Sequence, residues 1–145
     1  MERISSGWIG EAGELRVASE LILRGYKPAK HLVDEGIDLT VDNGVGIQVK
    51  TVKTLAGSGS GQVCLRSARY KKGRKANNCA VFKADFLIIW VIPKGEFYII
   101  PKSHILSMGR VLEREEATPP KAIVVSKRLL PFKDNWDVLW KNREV

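Results

Sequence analysis

Between residues 8 and 24 the apolar side chains recur at helical spacing, and Gly25 follows where such a helix would close. Leu15, Val17, Ala18, Leu21 and Ile22 form the apolar stripe, with Arg16, Ser19 and Glu20 outside it. Glu11 and Glu14 fall inside the stripe. A carboxylate there is unfavourable unless it is paired, hydrogen-bonded or bound to a metal. The period then changes to two. In "GIDLTVDNGVGIQVKT" two strands, residues 37–41 and 45–49, flank a turn at "DNG". A two-residue Asn43-Gly44 loop would set the apolar residues of the two strands on opposite faces. A three-residue loop, Asp42-Asn43-Gly44 with Gly44 left-handed, pairs Val41 with Val45, Leu39 with Ile47 and Ile37 with Val49. All the apolar side chains then share one face. The other face carries Asp38 across from Gln48, with Lys50 two residues further on.

The rest of the chain alternates loops with short apolar runs. "TLAGSGSGQ" is a flexible connection and not a phosphate-binding loop, because no Gly-Lys-Ser/Thr follows it. A third strand is expected at residues 62–65. "DFLIIWVIP" is an unbroken apolar run suited to a central strand buried on both faces, and "KG" turns it into an antiparallel neighbour, "EFYIIP". "PKSHIL" reads as a short helix with proline near its start, "LEREEATPPK" as a surface connection and "AIVVS" as a last strand. "FKDNWDVLW" predicts a terminal helix packing Trp136, Leu139 and Trp140. No repeat or boundary interrupts the chain, so residues 1–145 are expected to form one domain of α/β or α+β class.

Composition changes this picture at one point. With 44% hydrophobic and 28% charged residues, the chain is that of an ordinary globular protein. No apolar run reaches the length of a membrane span. "MERISSGWIG" lacks a signal-peptide core, so a cytoplasmic location is expected. Cys64 and Cys79 have no metal-ligand spacing and read as reduced thiols. His31 and His104 are isolated, which gives a His-metal site no support. The charge is different. A formal net charge of +8 in so small a domain points to a polyanionic partner. "RSARYKKGRK" concentrates Arg66, Arg69, Lys71, Lys72, Arg74 and Lys75 around Tyr70. Alone such a run is a solvated loop; with the net charge, it reads as a DNA-binding segment.

An acid, an amide and a lysine on one sheet face suit metal-assisted phosphodiester hydrolysis. Asp38 would hold a divalent cation, with the Gln48 amide oxygen and the Val49 backbone carbonyl as neutral ligands. Lys50 would orient the attacking water and stabilise charge on the phosphate. Glu14 would complete the site from the helix. Each residue also has a plain structural reading, Asp38 as a turn cap and Lys50 as a solvated side chain.

"GELRVASELILRGY", "GIDLTV" and "IQVKT" together resemble the PD-(D/E)xK nuclease superfamily. The pattern there is a helix-borne Glu, an Asp opening a strand, and (D/E)-x-Lys on the next. Glu14 takes the first place, Asp38 the second, Gln48 the third and Lys50 the fourth, with Glu11 a second choice for the first. The spacing up to "RGY" is similar to that of archaeal Holliday-junction resolvases. "DFLIIWVIPKGEFYIIP" and "LLPFKDNWDVLW" are similar to the Gln-x-Lys branch, which includes a group I intron-encoded homing endonuclease. The resemblance implies a restriction-endonuclease-like fold, an αβββαβ core with a mixed central sheet flanked by helices. It also implies a Mg²⁺-dependent DNA endonuclease, with Mn²⁺ able to substitute, working as a dimer or tetramer on double-stranded or branched DNA. Two departures stand out. Ile37 replaces the motif's proline, which supplies no ligand. Gln48 replaces an acid, which weakens cation binding and leaves open a DNA-binding module that kept the fold without the catalysis.

Overall fold

The computed structural model describes residues 3–33, 36–65, 82–109 and 120–141. Helix α1 (Ser6–Leu23) opens the chain. It closes as the glycine predicts. Gly25, at φ +88°, is left-handed, its N–H donates to the Ile22 carbonyl, and the Tyr26 N–H reaches back to the Leu21 carbonyl. The described residues then hold strands β1 (Ala29–Lys30), β2 (Leu39–Val41), β3 (Val45–Val52), β4 (Gly61–Cys64), β5 (Phe86–Val91), β6 (Glu96–Pro101) and β7 (Ala122–Val125). Helices α2 (Lys102–Ser107) and α3 (Asp137–Lys141) follow β6 and β7.

Five strands form a mixed sheet in the order β1-β2-β3-β5-β6, in which β3 and β5 run parallel and the other neighbours antiparallel. β5 is the buried strand that its unbroken apolar run predicts. Phe86 and Ile88 enter the core on one face, and Leu87, Ile89 and Val91 enter it on the other. α1, Tyr26, Trp136 and α3's Leu139 cover the first face. An antiparallel ribbon of β4 and β7 covers the second face, together with α2's Ile105 and with Leu129. The fold is therefore an α+β domain with a mixed central sheet flanked by helices, as expected.

The β2–β3 hairpin forms in the predicted register. A 3-10 turn at Asp42–Gly44 with Gly44 at φ +77° pairs Val41 with Val45 and Leu39 with Ile47. Ile37 corrects the expectation. It does not join Leu39 and Val41 but packs with the second-face cluster, where a β-carbon on Gly46 would lie 3.1 Å from its Cδ1. The ladder has ended by then: the Asp38 N–H donates to the Ile47 carbonyl, and the Asp38 carboxylate accepts from the Val49 N–H. The chain leaves the sheet there, and the two-residue alternation stops applying.

The α1 stripe is also narrower than its sequence suggests. Gly13, Val17 and Leu21, four residues apart, are the buried positions, whereas Leu15 and Ile22 are exposed on the far side of the helix. Arg16 and Arg24, which flank the line, lie over the rings of Phe97 and Trp136 at 5.0 and 4.7 Å. Among the described residues no helix is long and apolar enough to cross a membrane.

Candidate active site

The brevity of β2 creates the site. β2 pairs with β3 only as far as Ile47, so the β2-facing edge of β3 from Gln48 onward has no strand beside it among the described residues. α1 and the segment before it close over this opening. The result is a cleft of about 680 Å³ lined by Glu14, Asp38, Gln48, Val49, Lys50 and Lys53, with Arg3 and Ser5 at its rim. The predicted site residues Glu14, Asp38, Gln48, Val49 and Lys50 all meet there.

Asp38 is the anchor. It is the single buried charged residue among those described, at 8% exposure. Its Oδ2 accepts the Val49 N–H at 2.7 Å, taking the place of the main-chain partner that the ladder no longer supplies. In a strand, the N–H and C=O of one residue point to the same side. The Val49 carbonyl therefore faces the cleft side as well. Gln48 and Lys50 are half-buried on the neighbouring positions.

Glu14 reaches the cleft because α1 lies unusually close to β3. A β-carbon on Gly13 would stand 1.9 Å from the Thr51 hydroxyl, so only glycine permits the approach. The Thr51 Oγ1 is buried there without a hydrogen-bond partner among the described residues. The Glu14 carboxyl is pushed above its ordinary range by burial first and by the negative charge of Asp38 second, against the opposing pull of Lys30. Lys30 reaches over from edge strand β1. It pairs with Glu14 at 3.4 Å and makes a shorter contact with Glu11, which raises the lysine's own pKa. The sequence pattern singles out both glutamates but not Lys30. The available signal was the need of two carboxylates on one helix face for a counter-charge. The structure also separates them: Glu14 lines the cleft with Asp38, and Glu11 lies beside Trp8 in a different concavity.

A raised carboxyl pKa has a defined linkage sign. The folded protein binds the proton more tightly than the unfolded chain, so stability falls as pH rises from about 4.5 through the raised value. Glu14→Gln should accordingly raise the melting temperature of the metal-free protein at pH 7. The gain should shrink as pH is lowered through the ordinary carboxylate range. Thermal denaturation of both proteins across that range checks it, and a gain independent of pH would contradict the assignment.

The donors suit Mg²⁺. No three His, Cys, Asp or Glu side chains converge as a metal-sized group among the described residues. Mg²⁺ does not need such a cage, because it keeps several waters and is bound through one or two carboxylates. A bound cation would offset the burial and the Asp38 charge that raise the Glu14 carboxyl. The sequence-predicted DNA-binding residues Arg66, Arg69, Lys71, Lys72, Arg74 and Lys75 lie outside the described residues.

No protein-family model matches the chain, and no curated protein matches it. Among solved structures, the chain is similar to that of a bacterial homing endonuclease, I-Ssp6803I. The TM-score is 0.72 over 97% of both chains, at 18% sequence identity. The likeness extends over nearly the whole fold.

Proposed function

We propose that the chain is a metal-dependent DNA endonuclease of the PD-(D/E)xK type that hydrolyses phosphodiester bonds at specific sites in double-stranded DNA. One observation carries the reading. Glu14, Asp38, Gln48, the Val49 backbone and Lys50, drawn from three separate elements, line a single cleft at the open edge of β3. The fold likeness to a homing endonuclease over both full lengths supports it.

Asp38 and Glu14 would hold Mg²⁺, with the Gln48 amide oxygen and the Val49 carbonyl completing the protein's share of ligands. The bound cation would supply Lewis-acid stabilisation of charge on the scissile phosphate. Lys50 orients the attacking water and donates to the phosphoryl oxygen as negative charge develops there. Water oxygen bonds to phosphorus as its proton passes to solvent, and the P–O bond to the departing strand breaks, the leaving oxygen taking a proton from solvent. Lys53 and Arg3, at the cleft margin, place positive charge where the phosphate backbone would enter. Among the described residues each chain carries one such cleft, so cutting both strands calls for two copies, which fits a homo-oligomer.

The test is a cleavage assay with Mg²⁺ or Mn²⁺ on plasmid, genomic DNA and a synthetic four-way junction. Metal-dependent cutting is expected, and Lys50→Ala should reduce it by about 10²–10³-fold with an unchanged melting temperature. A preference for the junction would shift the reading to a Holliday-junction resolvase type of enzyme. Gln48 in an acid's place favours one further reading, a non-catalytic nucleic-acid-binding module. Salt-sensitive binding with no cutting of any substrate would establish that one instead.

A further inference from the structure

The β4–β7 ribbon lies outside the cleft and outside the main sheet. Its inner residues Val63, Ile123 and Val125 pack into the core, and on the opposite face Gln62, Cys64 and Val124 are exposed. Gln62 and Val124 are direct cross-strand partners on that outer face, and Val124 is 51% exposed. Cys64, two residues on, is exposed as well and sits across from Ala122. The strip is narrow and uncharged, with small residues beside one amide and one branched apolar side chain.

Among the described residues next to the two strands in sequence, the charge is of one sign. No Asp or Glu occurs from residue 53 to 65 or from 120 to 130, while Lys53, Lys121, Lys127 and Arg128 occur there. All four cations are exposed. On the other side of the sheet the carboxylates of α1 are ion-paired, Glu20 with Arg16 and Arg24, and Glu11 and Glu14 with Lys30. The exposed cations make the ribbon side a second place where a polyanion is drawn, beside the cleft with its Arg3, Lys50 and Lys53. A two-stranded ribbon fits the DNA major groove. Gln forms two hydrogen bonds to the edge of adenine, and an apolar side chain packs on the thymine methyl. Neighbouring residues across a ribbon lie about 5 Å apart, within the span of one base pair's major-groove edge.

We propose that the outer face of the β4–β7 ribbon docks in the major groove of the target duplex, where Gln62 and Val124 read an A·T base pair between phosphate contacts from Lys127 and Arg128. This inference rests on the nuclease reading above and adds the residues that select the sequence. It differs from the sequence expectation, which places DNA contact on the segment "RSARYKKGRK".

The experiment is selection of bound duplexes from a randomised pool, with divalent cations chelated so that bound DNA stays uncut. The full chain is compared with Gln62→Ala, Gln62→Ala/Val124→Ala and Lys127→Ala/Arg128→Ala. The wild type should enrich an A·T pair, and Gln62→Ala should relax that one preference by about 5- to 150-fold while leaving the others. The lysine–arginine double variant should weaken all duplexes alike and reduce the salt slope by about 1–2. Unchanged melting temperatures show that these exposed substitutions leave the fold intact. Identical enriched bases in the wild type and the Gln62/Val124 variant would overturn the inference while leaving the nuclease standing, as would a wild type that cuts without base preference. A ribbon variant that changes the oligomeric mass and not DNA selection would make this face a contact between copies, and the inference would fall. A wild type that neither binds nor cuts duplex DNA would remove the nuclease reading and this inference together.

Discussion

Asp38→Asn should lower DNA cleavage by about a thousandfold or more while the chain folds as well as before. The amide keeps an oxygen to accept the Val49 N–H, so the hydrogen bond that ends the β2–β3 ladder survives. It loses the charge that would hold the cation. It also removes the negative neighbour that raises the Glu14 carboxyl, so the metal-free variant should be at least as stable as the wild type. Asp38→Ala separates the two roles. It loses the same activity and also leaves a buried N–H without a partner, which costs about 1–3 kcal/mol. The comparison therefore needs three readings: cleavage rate, Mn²⁺ affinity by calorimetry, and thermal denaturation. Asp38→Asn that cuts at the wild-type rate would remove Asp38 from the chemistry. Asp38→Ala that melts with the wild type would show that the Val49 bond contributes nothing.

The second large effect is expected at a residue without a side chain. Gly13→Ala would place a methyl group 1.9 Å from the Thr51 hydroxyl and 3.2 Å from its β-carbon, and α1 would have to lift. Overpacking of this kind costs about 1–3 kcal/mol. The helix has little to set against it. Val17 and Leu21 are its fully buried apolar side chains, each contributing about 1.5–3 kcal/mol. Lifting the helix also withdraws Glu14 from Asp38, so cleavage should fall more steeply than stability. The rescue is specific. Thr51→Ala removes the clashing hydroxyl, and Gly13→Ala/Thr51→Ala should recover most of the lost stability and part of the activity. A double-mutant cycle on melting and cleavage measures the coupling. Additive effects at the two positions would show that the close approach does not hold the helix in place.

What could be read from the chain followed from how local each signal was. The hairpin register was legible because Gly44 and the alternation of Leu39, Val41, Val45 and Ile47 each demand the same three-residue turn. β5 was legible because only a strand covered on both faces is apolar at every position. The same register sets Gln48 and Lys50 on one face of β3, whereas Asp38 reaches the cleft where the ladder ends and Glu14 reaches it from α1. Other features depend on partners far away in sequence. The buried line of α1 runs through Gly13, whose lack of a side chain hides it from any hydrophobic pattern, and Leu15 and Ile22 misled for the same reason. Asp38 was expected outside the core. Its burial depends on where β2 stops, which the alternation alone does not mark. The pairing of β4 with β7 joins segments separated by three other described elements, and Lys30 meets the two glutamates from a two-residue edge strand. No periodicity announces either.

The charge arrangement described for the ribbon and for α1 has a kinetic consequence. Exposed cations on the ribbon side, set against the ion-paired charges of α1, give the described residues an electric dipole across the sheet. In the field of a duplex that dipole exerts a torque, turning the ribbon side forward before any contact is made. The effect belongs to the encounter rate. It fades once the Debye length shrinks below about 10 Å, near 0.1 M salt, while short-range contacts in the groove are affected far less. In the proposed complex, arrival and recognition would thus be set by separate properties of one face, the first by its cationic border and the second by its uncharged centre.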